Sequence, residues 1–294
     1  MNKTALIFPG QGSQYIKMGK DSYELSPFAK EIYKIASAIL EYDIKDICFN
    51  ADINMISNTK YAQPAIFIYS LLASYKLKNK NINFDMVAGH SLGEISALTI
   101  AGVLTIEDAF KIIKIRASKM EQCGLENPGQ MLALINANPE QINKICDIES
   151  IVIANINSPQ QIIVSGEKDK INEALIISKK INIRKVVQLN VSGAFHSPLM
   201  KSVTEDLKKV LDDVNFNDAN IPVYQNMTCK PTTKAADLKI NLLNQIENPV
   251  NWVQIINNME QNNINLYIET GPGNVLQGLN KRITKNKTIN FNEI

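Results

Sequence analysis

Apolar runs broken by glycine and proline set the pattern of this chain. TALIFPGQG (residues 4–12) has a short apolar run ending at Pro9-Gly10, which predicts a buried strand entering a glycine turn. AQPAIFIYSLLASYKLK (62–78) predicts a mostly buried helix with Pro64 in its first turn. FDMVAG (84–89) predicts a short buried strand, and LGEISALTIAGVL (92–104) a helix packed closely against it. TIEDAFKIIKIRASKMEQCG (105–124) is a well-marked helix. Thr105 suits its N-cap, Glu107 and Asp108 its first turn, and Gly124 its end.

The pattern then changes. MLALINA, PEQINKICD, IVIANI, QQIIVSG, KDKINEALIISKKI and RKVVQLN follow one another between 131 and 190. In order they predict β-α-β-β-α-β, the ferredoxin-like arrangement. The expected organisation is α/β, with a subdomain at 126–190 inserted into a core made of 1–125 and 191–294. Beyond it, Ser197 and Pro198 fit the N-cap and N1 positions of a helix reaching about Val214. IPVYQNMT and NLYIET predict further strands, and GPGNVLQGLNKRI a turn into a last helix.

Composition narrows the class. The chain has 294 residues, of which 45% are hydrophobic and 20% charged, enough for a substantial core in a soluble protein. A net charge of +2 argues against a nucleic-acid binder. Cys48, Cys123, Cys146 and Cys229 are widely spaced, without a C-x-x-C pair, so the expectation is reduced thiols in a cytoplasmic protein and no metal site. The N-terminal apolar run is too short for a signal peptide, and no run approaches a membrane span.

The candidate chemistry centres on GHSLG (89–93), which fits the G-x-S-x-G elbow that exposes a serine oxygen at a tight strand-to-helix turn. A hydroxyl needs a base to act as a nucleophile, and the chain has two histidines. His90 lies inside the elbow, where its side chain is expected to point away from Ser91, leaving His196 in VSGAFHSPLM as the candidate base. No Asp or Glu stands out to orient it; a backbone carbonyl from ENPVNW (247–252), stiffened by Pro249, is one option. Arg116 shares a helical stripe with Ala109, Ile113 and Met120 and has no carboxylate three or four residues away. Two readings stay open: it reaches solvent or a distant acid, or it pairs with the carboxylate of a ligand. Two charge-assisted hydrogen bonds of about 1.5–3 kcal/mol each would favour an acidic acyl group by on the order of 10²–10⁴. For an oxyanion, the Leu92 amide at a helix start is the natural first donor, and the Gln11 amide in PGQGSQ suits as the second; the alternative for PGQGSQ is a plain glycine turn.

Together these segments resemble the malonyl-CoA:acyl-carrier-protein transacylases of bacterial fatty-acid synthesis. The resemblance rests on PGQGSQ, QPAI (63–66), GHSLGE (89–94), Arg116, QIIVSG (161–166), GAFHS (193–197), NPVNW (248–252) and ETGPGNVL (269–276), in order along nearly the whole chain. It implies an α/β-hydrolase-like core with a ferredoxin-like subdomain. It also implies Ser91 as nucleophile, His196 as base and acid, Gln11 and Leu92 amides as oxyanion hole, and Arg116 as holder of the malonyl carboxylate. By the same resemblance the Asn251 carbonyl orients His196, Phe195 narrows the space beside the acyl α-carbon, and Arg184 and Lys185 lie near the pantetheine entrance. The last pair also fits a solvated strand end. The implied partners are malonyl-CoA and acyl carrier protein, with no cofactor, nucleic acid or membrane. A serine thioesterase, a polyketide-pathway acyltransferase and a non-catalytic docking module remain the alternatives.

Overall fold

The computed structural model describes residues 3–294; Met1 and Asn2, part of the expected core segment, lie outside them. The strands are β1 (Lys3–Phe8), β2 (Met86–Gly89), β3 (Gly129–Ile135), β4 (Ile151–Ser158), β5 (Gln161–Glu167), β6 (Lys185–Gln188), β7 (Val223–Tyr224), β8 (Pro231–Thr232), β9 (Ile264–Glu269) and β10 (Lys287–Asn290). One sheet has the order β10-β9-β1-β2-β7-β8, parallel from β10 through β7, with β8 antiparallel at the edge. Along β1, Leu6 and Phe8 enter the main core, while Ala5 and Ile7 join Trp252 and Tyr267 on the opposite face. Burial on both faces is why β1 and β2 read as unbroken apolar runs rather than as alternation.

The second sheet, β4-β5-β3-β6, is antiparallel throughout. Here alternation returns. Leu132 and Leu134 of β3 pack with Ile145, Ile171 and Ala174 from the helices Pro139–Cys146 and Lys168–Lys180, whereas Met131 and Ala133 belong to the main core. The edge strand β4 is tied to the rest of the chain at Val250, whose carbonyl accepts from Ile156 N–H and whose N–H donates to Ala154, both at 2.9 Å.

Three helices depart from the sequence expectations for identifiable reasons. The helix with Pro64 begins earlier, as Thr59–Asn79, which puts the proline beyond the first turn. The carbonyl that Pro64 cannot serve, that of Lys60, instead accepts from the Tyr42 hydroxyl at 3.1 Å. Thr105 caps the next long helix through Asp108 N–H at 3.0 Å, but Gly124 does not end it; the helix runs Ile106–Glu126. Gly124 is needed for close approach, since a Cβ there would collide with the Ser192 carbonyl. Ser197 does not cap either. Its hydroxyl turns back to the Ala194 carbonyl at 2.6 Å, and Pro198–Met200 forms a 3₁₀ turn before the helix Lys201–Asp213.

The carboxyl ends of β1, β2, β7 and β9 all open towards the same side of the parallel sheet, the usual place for a ligand crevice in such sheets. Among the described residues, no helix is long and apolar enough to cross a membrane.

Candidate active site

Ser91 lies two residues past the end of β2, with φ +52°, a left-handed conformation that costs a non-glycine residue about 1–3 kcal/mol. The flanking glycines make the turn possible: a Cβ on Gly89 would collide with Gly93, and one on Gly93 with the Phe8 carbonyl. The strained backbone is clamped by two side-chain amides. Ser91 N–H donates to Asn226 Oδ1 at 2.7 Å, and Gln245 Nε2 donates to the Ser91 carbonyl at 3.1 Å.

The hydroxyl of Ser91 lies 2.8 Å from His196 Nε2 and accepts from Arg116 Nη2 at 3.0 Å. Because a guanidinium only donates, the serine proton is directed to Nε2. The imidazole then carries its own hydrogen on Nδ1, which donates to the Gln245 carbonyl at 2.9 Å. Burial first, and the nearby Arg116 charge second, push His196 down to about 3, so it is neutral and able to accept a proton at physiological pH. Its buried ring sits on a residue with φ +57°, a second strained position opposite the first.

Arg116 is 1% exposed, yet no carboxylate touches it. Its fixed partners are neutral: Gln63 Oε1 at 2.7 Å on Nη1 and Gln245 Oε1 at 3.0 Å on Nη2, while buried Nε has none. Burial pulls the guanidinium down to about 10, which leaves it charged near neutrality. A buried cation without a contacting counter-ion is costly unless an anion completes the site.

Asn251 requires a correction. Its carbonyl does not meet His196; Gln245, six residues earlier, supplies the acceptor. Asn251 instead caps the helix Trp252–Glu260, its side chain accepting from Gln254 N–H at 3.1 Å. The acceptor therefore lies two residues before the expected segment 247–252, at the end of the preceding helix. Asn251→Ala is expected to lower stability by about 1 kcal/mol through the lost cap, with acyl transfer changed less than about threefold. A thermal melt and a transfer assay check this, and a large loss of kcat would return the orienting role to Asn251.

The remaining candidates fall as follows. Gln11 and Leu92 line the cleft, and no hydrogen bond among the described residues engages either backbone N–H. Phe195 lines it as well and is almost fully buried. His90 faces away from Ser91, its Nε2 lying 2.8 Å from Asn157 Oδ1 on β4 and its ring packing on Trp252. Arg184 and Lys185 are exposed and do not line the cleft; Leu189 and Val191, further along the same stretch, do. The cleft, about 420 Å³, lies between the two sheets and contains Ser91, Arg116 and His196. Among the described residues, no three His, Cys, Asp or Glu side chains gather as a metal-binding group.

A half-buried serine paired with a buried histidine beside a parallel sheet, with a buried cation that lacks a contacting counter-ion next to the serine oxygen, has the parts for transfer of an acidic acyl group. Residues 5–290 match the family model described as acyl transferase domain, and the chain belongs to that family. A relative from Bacillus subtilis (strain 168), malonyl CoA-acyl carrier protein transacylase, is 37% identical over 295 residues, covering 98% of this chain and 93% of that protein. The solved malonyl-CoA:ACP transacylase of Synechocystis sp. PCC 6803 is 34% identical, with a TM-score of 0.92 over 99% of this chain and 100% of that one. A further solved structure, PlMCAT with AntF, a type II PKS acyl-carrier protein in complex with its malonyl-transacylase, is 30% identical. Its TM-score is 0.92 over 98% of this chain and 94% of that one.

Proposed function

We propose that this protein moves the malonyl group from malonyl-CoA to the pantetheine thiol of acyl carrier protein in fatty-acid biosynthesis, through a malonyl ester on Ser91. The observation that carries the reading is Arg116: a buried, unpaired guanidinium 3.0 Å from the candidate nucleophile oxygen. The relatives' activity fits the same acid-bearing substrate.

His196 Nε2 takes the Ser91 proton as Oγ attacks the thioester carbonyl. The Gln11 and Leu92 amides receive the developing oxyanion. The tetrahedral intermediate collapses, the carbon–sulfur bond breaks, and coenzyme A leaves with the proton from His196. Arg116 holds the malonyl carboxylate while the ester waits. The carrier thiol then gives its proton to His196 and attacks the ester, and Ser91 leaves with that proton. The coenzyme A thioester is a substrate here, and no step draws on a cofactor. Arg184 and Lys185 stay outside the acyl pocket, on exposed surface that a protein partner can reach.

The fold reading that accompanies this is an α/β-hydrolase-like core of 1–125 and 191–294 with a ferredoxin-like subdomain at 126–190. It is supported by the parallel run β10-β9-β1-β2-β7, and by the order β4-β5-β3-β6 with two helices on one face. The acyl group sits between the two parts, where Phe195 crowds its α-carbon.

The test is a mass spectrum of the intact protein after exposure to malonyl-, methylmalonyl- or acetyl-CoA. The expected result is one malonyl group on Ser91 that holo carrier protein discharges. Rapid release of free malonate without carrier would replace this reading with a thioesterase, and the absence of any adduct would end it. Fatty-acid and polyketide carriers supplied side by side separate the two pathways.

A further inference from the structure

Glu94 lies three residues after the nucleophile on the helix Gly93–Ile100 and is 0% exposed. Nothing in the transfer mechanism uses it. Its Oε2 accepts the backbone N–H of Asn226 at 2.6 Å, and its Oε1 accepts Gln225 Nε2 at 3.1 Å. Asn226 in turn holds the elbow from both sides: its Oδ1 accepts Ser91 N–H, and its Nδ2 donates to the Gly89 carbonyl. We propose that Glu94 is a positioning residue for the transfer: its carboxylate, acting through Asn226, holds the strained Ser91 backbone in the attacking conformation. The proposal rests on the malonyl-serine reading above.

The surroundings of Glu94 suit only its charged form. Gln225 cannot turn its amide to offer oxygen, because its Oε1 already accepts from Asn241 Nδ2 at 2.8 Å and its Nε2 also donates to the Leu238 carbonyl. The Asn226 contact is a backbone N–H, which has no acceptor to offer. A protonated Glu94 therefore points its hydrogen at donors and loses one of its two anchors. The charged or titratable groups that face it are Arg116, which favours its charge, and the Cys229 thiol, which burial pushes up to about 11 and so keeps neutral. Burial, the largest influence, pushes the Glu94 carboxyl up to about 7, against the pull of its donors and of Arg116.

The sign follows directly. The anchoring form is the anion, so activity is full above the Glu94 midpoint and falls as pH drops through it. His196, at about 3, cannot supply a limb near neutrality. A second buried carboxyl can: Glu269, also pushed up to about 7, accepts from the Leu276 and Gln277 amides at the start of the helix Val275–Asn280. It makes no contact with the elbow, so the two are separable.

The experiment compares the pH profile of malonyl transfer in the unaltered enzyme, Glu94→Gln and Glu269→Gln. Glu94→Gln is expected to lower kcat by about 10–100-fold with KM for malonyl-CoA within about threefold, because Arg116 still binds the carboxylate. Its profile is expected to be flat from about pH 6 to about pH 8, whereas Glu269→Gln keeps the limb. Unchanged kcat in Glu94→Gln, a limb that survives in it, or a limb that vanishes in Glu269→Gln overturns the proposal. Should Glu94→Gln fail to fold, infrared spectra of Glu269→Gln provide the second reading. A protonated-carboxyl band must grow in with the midpoint at which kcat falls, and separate midpoints overturn the proposal. Failure of the unaltered enzyme to form malonyl-serine would instead strike the underlying reading.

Discussion

Ser91→Ala is expected to abolish the malonyl-enzyme and lower transfer to the carrier by about 10⁴–10⁶-fold. The substitution is clean in structural terms. Alanine keeps the same Cβ, so it carries the φ of +52° at the same backbone cost, and both backbone clamps from Asn226 and Gln245 remain. Arg116 loses one acceptor but keeps Gln63 and Gln245, and His196 keeps its Nδ1 bond to the Gln245 carbonyl. What disappears is the single oxygen that His196 and Arg116 both meet. An intact-mass measurement after malonyl-CoA treatment reads the adduct directly. An adduct of undiminished yield on the alanine variant would show that another atom is the nucleophile.

The parts of this site that were legible in the sequence are those whose chemistry is rare in the chain. With two histidines to choose from and one inside the elbow, His196 was reachable by elimination, and Ser91 was marked by glycines whose Cβ positions are sterically forbidden. Arg116 was visible as a cation on an apolar stripe. The supporting shell was not legible, because it is built of amides. Gln63, Asn226 and Gln245 each bury a polar group that is common on surfaces, and nothing in local periodicity separates a buried amide from an exposed one. The one available signal was position: Gln225 and Asn226 directly follow β7, at the carboxyl end of a parallel strand where site residues gather. Asn251 failed for a related reason. Its role depends on which carbonyl of a turn faces His196, and a turn of several residues offers several. The same limit applied to the fold. Pro64 and Gly124 carry local signals for helix ends, but the Tyr42 hydroxyl and the close Ser192 backbone, both distant in sequence, decide what those residues do.

Arg116→Ala is expected to cut malonyl transfer by about 10²–10⁴-fold while changing acetyl transfer by less than about tenfold. The estimate follows from two charge-assisted hydrogen bonds between the guanidinium and the substrate carboxylate, each about 1.5–3 kcal/mol, which an acetyl group cannot make. The acetyl reaction also serves as the internal control for collateral damage. Removing the cation leaves Gln245 Oε1 and Gln63 Oε1 without their donor, and Gln245 also holds the Ser91 carbonyl and the His196 imidazole. Any disorder that this causes at Ser91 and His196 falls on both substrates alike, so the ratio of kcat/KM values isolates the carboxylate interaction. Arg116→Lys sharpens the separation. A lysine retains the charge but not the planar fork, and its ammonium cannot serve the Gln63 and Gln245 oxygens, the Ser91 hydroxyl and a ligand carboxylate together. It is expected to recover part of the malonyl preference and little of the malonyl rate. Equal losses for malonyl and acetyl in both variants would mean that Arg116 braces the two glutamines and reads nothing of the substrate. The choice of acyl group would then have to come from the shape of the cleft around Phe195.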